Sequence, residues 1–303
     1  MRTAYLGTSE FAATVLARLA GSRHSPALVV TPPDSRRGRG RKLAPPPAAA
    51  AARDLGLELL QTQDVNEDES RERIRAAAPE TVAVCAFGQI IRAPLLSDFQ
   101  MLNVHPSLLP RWRGAAPIER AIMAGDERTG VTIMRVTEGL DSGPIAMQEQ
   151  TGISPGEQFA SIEGRLAELG GEMLVAALDA LGDGRLVFSD QDDDDATYAE
   201  KIEQEDRRLD PARRAPELER TVRALGRSVG TYLELEGGER LGVREARALR
   251  AGPAQGQIEA AEGRLVLGSA EGGLGLEVVQ PPGKREMGAK EFLHGHPAPA
   301  RAL

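Results

Sequence analysis

Cysteine is almost missing from this chain of 303 residues: Cys85 stands alone, inside the apolar run TVAVCAF. No internal disulfide can form, and the thiol reads as a buried structural one suited to a reducing cytoplasm. Histidine is nearly as scarce, with four copies, so the chain offers no Cys/His ligand cluster and no metal is expected. Long apolar runs are absent as well; none approaches the ~20 residues of a membrane span. The start, MRTAYLGTSEF, has neither the apolar core nor the cleavage site of a signal peptide, so a cytoplasmic protein without a membrane partner is expected. Several motifs are also missing. LGTSEFA lacks the G-x-G-x-x-G spacing of a dinucleotide site, and GRGRK is not a phosphate loop. The acidic run DQDDDD (190–195) lacks the Gly and closing Glu of a calcium loop. No G-x-S-x-G marks a covalent nucleophile.

Charge is plentiful but unevenly spread. The formal net charge of −8 argues against a protein coated with nucleic acid over its whole surface. Two stretches reverse that balance. SRRGRGRK (35–42) has no acid among its basic residues, and 207–227 (RRLDPARRAPELERTVRALGR) is rich in arginine. A basic loop on an acidic body can hold a phosphate backbone, although a merely solvated loop stays an equal alternative at this point.

The first two-thirds of the chain alternates strand-like and helix-like segments. TAYLGT (3–8) reads as a strand, and Ser9 is placed to cap a helix through residue 20 with Phe11, Val15, Leu16 and Leu19 on one face. PALVVT (26–31), TVAVCA (81–86) and MLNVH (101–105) read as further strands, and a long proline-flanked loop interrupts the series at 32–47. GAAPIERAIMAG (114–125) reads as a helix, GVTIMRV (130–136) and PIAMQEQ (144–150) as a strand pair, and 156–181 as a long amphipathic helix. Such alternation predicts an α/β domain with a mostly parallel sheet, whose ligand crevice lies at the carboxyl ends of the strands. After about residue 205, short β-like runs at 231–236, 241–249, 264–270 and 274–280 predict a small β-barrel or sandwich. The expected division is 1–189, a linker at 190–213, and 214–303. HGH (294–296) is expected to be a solvated tail.

Chemistry is most concentrated in LNVHPSLLP (102–110). Asn103 and His105, two apart on a strand, project to one face. An Asn amide can donate to a developing oxyanion, and a His can donate or shuttle a proton near neutral pH. Asp141, bracketed by glycines in TEGLDSGPI, is a third candidate that could orient the imidazole. The spacing leaves open a plainer alternative, a satisfied buried His beside a loop-capping Asp.

Taken together, LGTSEFA, the basic loop VVTPPDSRRGRGRKLAPPP, NVHPSLLPRWRGAAPIERAI with GVTIMRVTEGLDSGPI, TYAEKIEQEDRRLD and QPPGKREMGAKEFLHG resemble the methionyl-tRNA formyltransferase family over essentially the whole chain. Ser9 stands where that family usually has Pro. The resemblance implies a Rossmann-like formyltransferase domain followed by an OB-like β-barrel that binds tRNA. It implies formyl transfer from 10-formyltetrahydrofolate to the methionyl amino group of initiator methionyl-tRNA by a cytoplasmic enzyme, expected to be a monomer, with no metal. Asn103, His105 and Asp141 would be catalytic. Ser107, Leu108, Leu109 and Pro110 would form one rim of the folate pocket, and Phe87, Gly88, Gln89, Ile90 and Ile91 the opposite wall. Arg39 would enter the acceptor stem, with Arg36, Arg37, Arg41 and Lys42 on phosphates. The nearest rival is a formyltransferase acting on an amino-sugar nucleotide; a non-catalytic folate- or tRNA-binding protein is a more distant one.

Overall fold

Two compact units make up the computed structural model, which describes residues 1–37 and 42–303. The first comprises Met1–Gly114, Arg128–Gly152 and Glu163–Tyr198. Its seven-stranded sheet runs in the order Ile145–Gly152, Arg128–Arg135, Met101–His105, Thr81–Cys85, Thr3–Gly7, Pro26–Thr31, Leu59–Gln61. The last five pair in parallel, and Arg128–Arg135 turns antiparallel against Met101–His105. Thr3–Gly7 and Thr81–Cys85 are buried at every position, which explains why both read as unbroken apolar runs rather than as alternation. The chain moves outward in one direction from Thr3–Gly7 through Pro26–Thr31, then returns to its other side with Thr81–Cys85. A crevice opens at such a reversal, where the connecting segments diverge.

The helices follow from the expected patterns. Ser9 caps Glu10–Ala20 by accepting from the Ala12 amide, and Phe11, Val15, Leu16 and Leu19 are buried. In the helix Phe159–Gly182, a Cβ on Gly170 would lie 2.7 Å from Val104 Cγ1, and one on Gly171 2.7 Å from Arg18 Cβ. Two consecutive glycines therefore let this helix press directly onto the strand that carries His105 and onto the first helix. The long loop expected at 32–47 is more structured than the sequence suggested. Ser35–Arg37 pairs antiparallel with Lys42–Ala44 as the stem of a hairpin.

The second unit comprises Ala115–Glu127, Ile153–Ile162 and Ala199–Leu303. Its six-stranded antiparallel sheet runs Thr231–Glu234, Arg240–Leu249, Gly273–Gln280, Arg264–Gly268, Ile258–Ala261, with Met287–Gly288 also on Gly273–Gln280. Register shifts around Glu245 bend Arg240–Leu249, as bulges do. The last residues bridge both edges, Ala302 to Leu235 and Arg301 to Gln257, and so draw the sheet toward closure. Leu218, Val222, Leu233, Val243, Leu267, Leu274 and Phe292 fill the core.

Two details differ from the expectations. The arginine-rich stretch 207–227 contains the helix Ala215–Leu225, and its charges are substantially paired: Arg214 with Glu217, Arg227 with Glu245 and Glu286, Arg208 with Glu234. The HGH stretch is no loose tail, because it ends the helix Ala289–Gly295 and the His296 ring stacks on Phe292 with centroids 4.9 Å apart. Elsewhere in this unit, Arg120 from the helix Pro117–Ala124 grips Asp206 with two bonds of 2.7 and 2.8 Å.

Candidate active site

His105 is the last residue of its strand, and its side chain is 5% exposed. Nε2 lies 2.8 Å from the Trp112 carbonyl oxygen. A carbonyl can only accept, so Nε2 carries the hydrogen, and Nδ1 is left as the ring atom open to proton transfer. Nδ1 is 3.6 Å from Asp141 Oδ2. Asn103 Nδ2 donates to Asp141 Oδ1 at 3.4 Å, and the Gly114 amide donates to Oδ2 at 2.9 Å. The fold thus gathers Asn103, His105 and Asp141 around one carboxylate at the carboxyl end of a sheet strand. One expectation is altered by this geometry. The hydrogen bond that orients the imidazole is donated by Nε2 to the Trp112 carbonyl, and Asp141 stands by as a charge.

Two residues of the cluster hold strained backbone. Asp141 has φ 45° and Trp112 φ 65°, a left-handed region that residues other than Gly adopt at a cost, modest for Asp and larger for Trp. Gly143 allows the Asp141 loop to lie against the neighbouring strand, since a Cβ there would sit 1.9 Å from the Arg135 carbonyl oxygen.

The Ser107–Pro110 segment is pinned along its length. Thr132 Oγ1 donates to the Ser107 carbonyl at 2.7 Å and accepts from the Leu109 amide at 3.2 Å. Gln148 Nε2 donates to the Leu109 carbonyl at 2.9 Å, and the Thr197 amide to that of Pro110 at 3.2 Å. Ser107 Oγ turns inward to the Arg111 carbonyl, Leu109 is buried and Leu108 half-buried. The opposite segment follows Thr81–Cys85, the neighbouring strand, where Val84 pairs with Asn103. Phe87 packs into the core while its carbonyl accepts from Thr8 Oγ1 at 2.6 Å. Gly88 has φ 78°. Gln89 is tied to the Val65 amide and the Thr62 carbonyl, Ile90 is exposed and Ile91 packs partly against the core.

Of the basic residues, Arg36 and Arg37 lie on one strand of the hairpin stem and Lys42 on the other; Arg36 and Lys42 are exposed. Arg39 and Arg41 lie outside the described residues. Among the described residues no group of three or more His, Cys, Asp or Glu comes together as a metal cluster, and no helix is long and apolar enough to cross a membrane.

Sequence reading missed the residues that hold this constellation. The Trp112 carbonyl carries no side-chain signal. Thr132, Gln148, Gln191 and Thr197 are distant in sequence from the groups they hold; a lone amide inside DQDDDD was the one visible hint of Gln191.

Comparison with known proteins bears on the same segments. Residues 1–178 match the family model described as formyl transferase, and residues 201–297 match the formyl transferase C-terminal domain. Methionyl-tRNA formyltransferase of Methylococcus capsulatus is 43% identical over 100% of this chain and 99% of its own length. The chain belongs to the methionyl-tRNA formyltransferase family. Another member, from Halorhodospira halophila, is 42% identical over 97% of this chain and 96% of its own. Two solved structures share the fold at lower identity. HypX from Aquifex aeolicus in complex with tetrahydrofolic acid superposes with a TM-score of 0.69 at 19% identity, covering 98% of this chain and 48% of that one, so the formyltransferase chain spans about half of HypX. The sugar 3N-formyl transferase WlaRD gives a TM-score of 0.66 at 15% identity, over 94% and 99% of the two chains.

Proposed function

We propose that the chain transfers the formyl group of 10-formyltetrahydrofolate to the α-amino group of methionine on initiator tRNA, in the cytoplasm and as a monomer. The observation that carries this reading is the approach of Asn103 and His105 to the Asp141 carboxylate, at 3.4 and 3.6 Å, in a chain related along its full length to methionyl-tRNA formyltransferases.

The neutral amine attacks the formyl carbon and forms the new C–N bond, and the carbonyl π pair moves onto oxygen. Asn103 Nδ2 is a donor for that oxyanion, and His105 Nδ1 becomes a second once it has taken up the amine's proton; loss of one such donor typically costs ~2.7–4 kcal/mol of transition-state stabilisation. On collapse the bond from the formyl carbon to folate N10 breaks. N10 leaves with a proton and the former amine gives one up, so the balance is a single proton moved from one nitrogen to the other. His105 relays it and the Asp141 charge stabilises the imidazolium in transit. Ser107–Pro110 and Phe87–Ile91 line the folate, and Arg36, Arg37, Arg39, Arg41 and Lys42 meet the tRNA acceptor end. By role the chain divides as 1–189 and 214–303, joined by 190–213, although the compact units do not break at those bounds.

The test is formyl transfer from 10-formyltetrahydrofolate to charged initiator tRNA, run beside an amino-sugar nucleotide. Turnover with tRNA alone is expected. Turnover with the sugar nucleotide alone would replace the acceptor, and tight folate binding without turnover on either would remove the catalytic reading. Arg39→Ala is expected to weaken use of tRNA and leave folate affinity unchanged.

A further inference from the structure

Asp141 owes its position to more than its own loop. Gln191 Nε2 donates to the Asp141 carbonyl at 2.8 Å and to the Gly143 carbonyl at 2.7 Å. Its Oε1 accepts from Arg113 Nε at 3.0 Å. The Arg113 side chain is buried, and its Nη2 reaches Asp193 at 2.8 Å. The peptide that follows Arg113 supplies the Gly114 amide, which donates to Asp141 Oδ2 at 2.9 Å. The bonds close a ring: Asp141 carbonyl, Gln191 amide, Arg113 guanidinium, Gly114 amide, Asp141 carboxylate. Within it Asp141 holds a left-handed φ of 45°, which Asp adopts at modest cost, and the two bonds from Gln191 hold the loop in that conformation.

From this ring we infer that Gln191 is a positioning residue for catalysis, fixing the Asp141 carboxylate against Asn103 and His105. The inference rests on the catalytic reading of Asp141 given above. Gln191 is suited to the role because its amide is both donor and acceptor: it must accept from a guanidinium on one side and donate to two carbonyls on the other. A carboxylate of the same shape can do only the first.

That asymmetry supplies the test, in the full-length protein. Gln191→Ala is expected to lower kcat by about ten- to a hundredfold, the upper figure being what a misplacement of about 1 Å can cost, with KM for folate and tRNA within about twofold. Gln191→Glu keeps the Arg113 contact but loses both donations, and is expected to fall as far as Gln191→Ala; a Glu variant near wild type would reduce Gln191 to a support for Arg113 and overturn the proposal. In an Asp141→Asn background, Gln191→Ala is expected to add little further loss of kcat, because the two act through one group. Fully multiplicative losses would also overturn it. Amide hydrogen exchange at Gly114 reads the same positioning without turnover. It is expected to quicken in Gln191→Ala, and unchanged exchange there would refute the ring whatever the acceptor proves to be.

Discussion

Asp141→Asn isolates charge from shape at the centre of the site. The Asn side chain keeps an oxygen for the Gly114 amide, which Asp141 now receives at 2.9 Å. The bond from Asn103 is long, 3.4 Å, and Asn103 can turn its own amide to suit a new neighbour. What disappears is the negative charge 3.6 Å from His105 Nδ1. A proton passing through Nδ1 creates an imidazolium there. At that distance the pair is worth about 4–5 kcal/mol at an effective dielectric near 20, against about 1 kcal/mol in bulk water. The two side chains are 5% and 18% exposed, so the interaction lies nearer the first limit, and a net loss of about 3 kcal/mol is a reasonable working value. That corresponds to a fall of roughly a hundredfold in kcat. The assay is single-turnover formylation of charged initiator tRNA at saturating folate, with KM and melting temperature measured in parallel. The expected result is the fall in rate with KM within about twofold and little change in melting. A rate within about threefold of wild type would refute the electrostatic role, and a loss seen only in KM would reassign Asp141 to binding.

Other outcomes follow from the same structure. Burial pushes the Asp206 carboxyl up, but hydrogen bonds from Arg120 and the Glu203 amide outweigh it and hold the group below the ordinary carboxylate range. Its stabilisation is therefore fully present above its unfolded value near about pH 4 and fades as pH falls through the depressed folded value; Asp206→Asn is expected to flatten that acid limb in urea unfolding, and an unchanged limb would reject the pairing. The Cys85 thiol is pushed up to about 12 by burial, with the Tyr5 hydroxyl pulling it down. At pH 8 only about one molecule in ten thousand carries the thiolate, so alkylation by iodoacetamide is expected only on unfolding, and native-state labelling would contradict the burial. Gly143→Ala forces a Cβ against the Arg135 carbonyl; a destabilisation of about 1–3 kcal/mol by denaturant titration is expected, together with slower turnover.

Legibility in the sequence tracked locality. Strands such as Pro26–Thr31 and Met101–His105 stood out because buried parallel strands are continuous apolar runs with sharp ends, and Ser9 announced its helix because a cap is a contact across three residues. Spacing put Asn103 and His105 on one face but left a satisfied buried His an equal alternative; Asp141 was named from its glycine-bracketed loop, and the pairing of Met101–His105 with Arg128–Arg135 is what brings that loop back to them. Gln191 and Thr197 were hidden because the bond from Gln191 to the Asp141 carbonyl spans 50 residues and that from the Trp112 amide to Thr197 Oγ1 spans 85. The hairpin stem at Ser35–Arg37 was obscured by the prolines around it, and the Arg301 and Ala302 bridges are single pairings too short to leave a pattern.

The main-chain acceptor at Trp112 ties one property of the site to backbone conformation alone. A proton address written in a carbonyl survives a side-chain replacement that preserves the backbone, so what residue 112 must supply to His105 is a conformation rather than a side chain. With φ at 65°, Asn or Gly would be accepted there at little cost, and Val or Ile, bulkier at Cβ than Trp itself, would turn the carbonyl away from the ring. The requirement at this position is a torsion angle, and the tautomer of His105 follows from it.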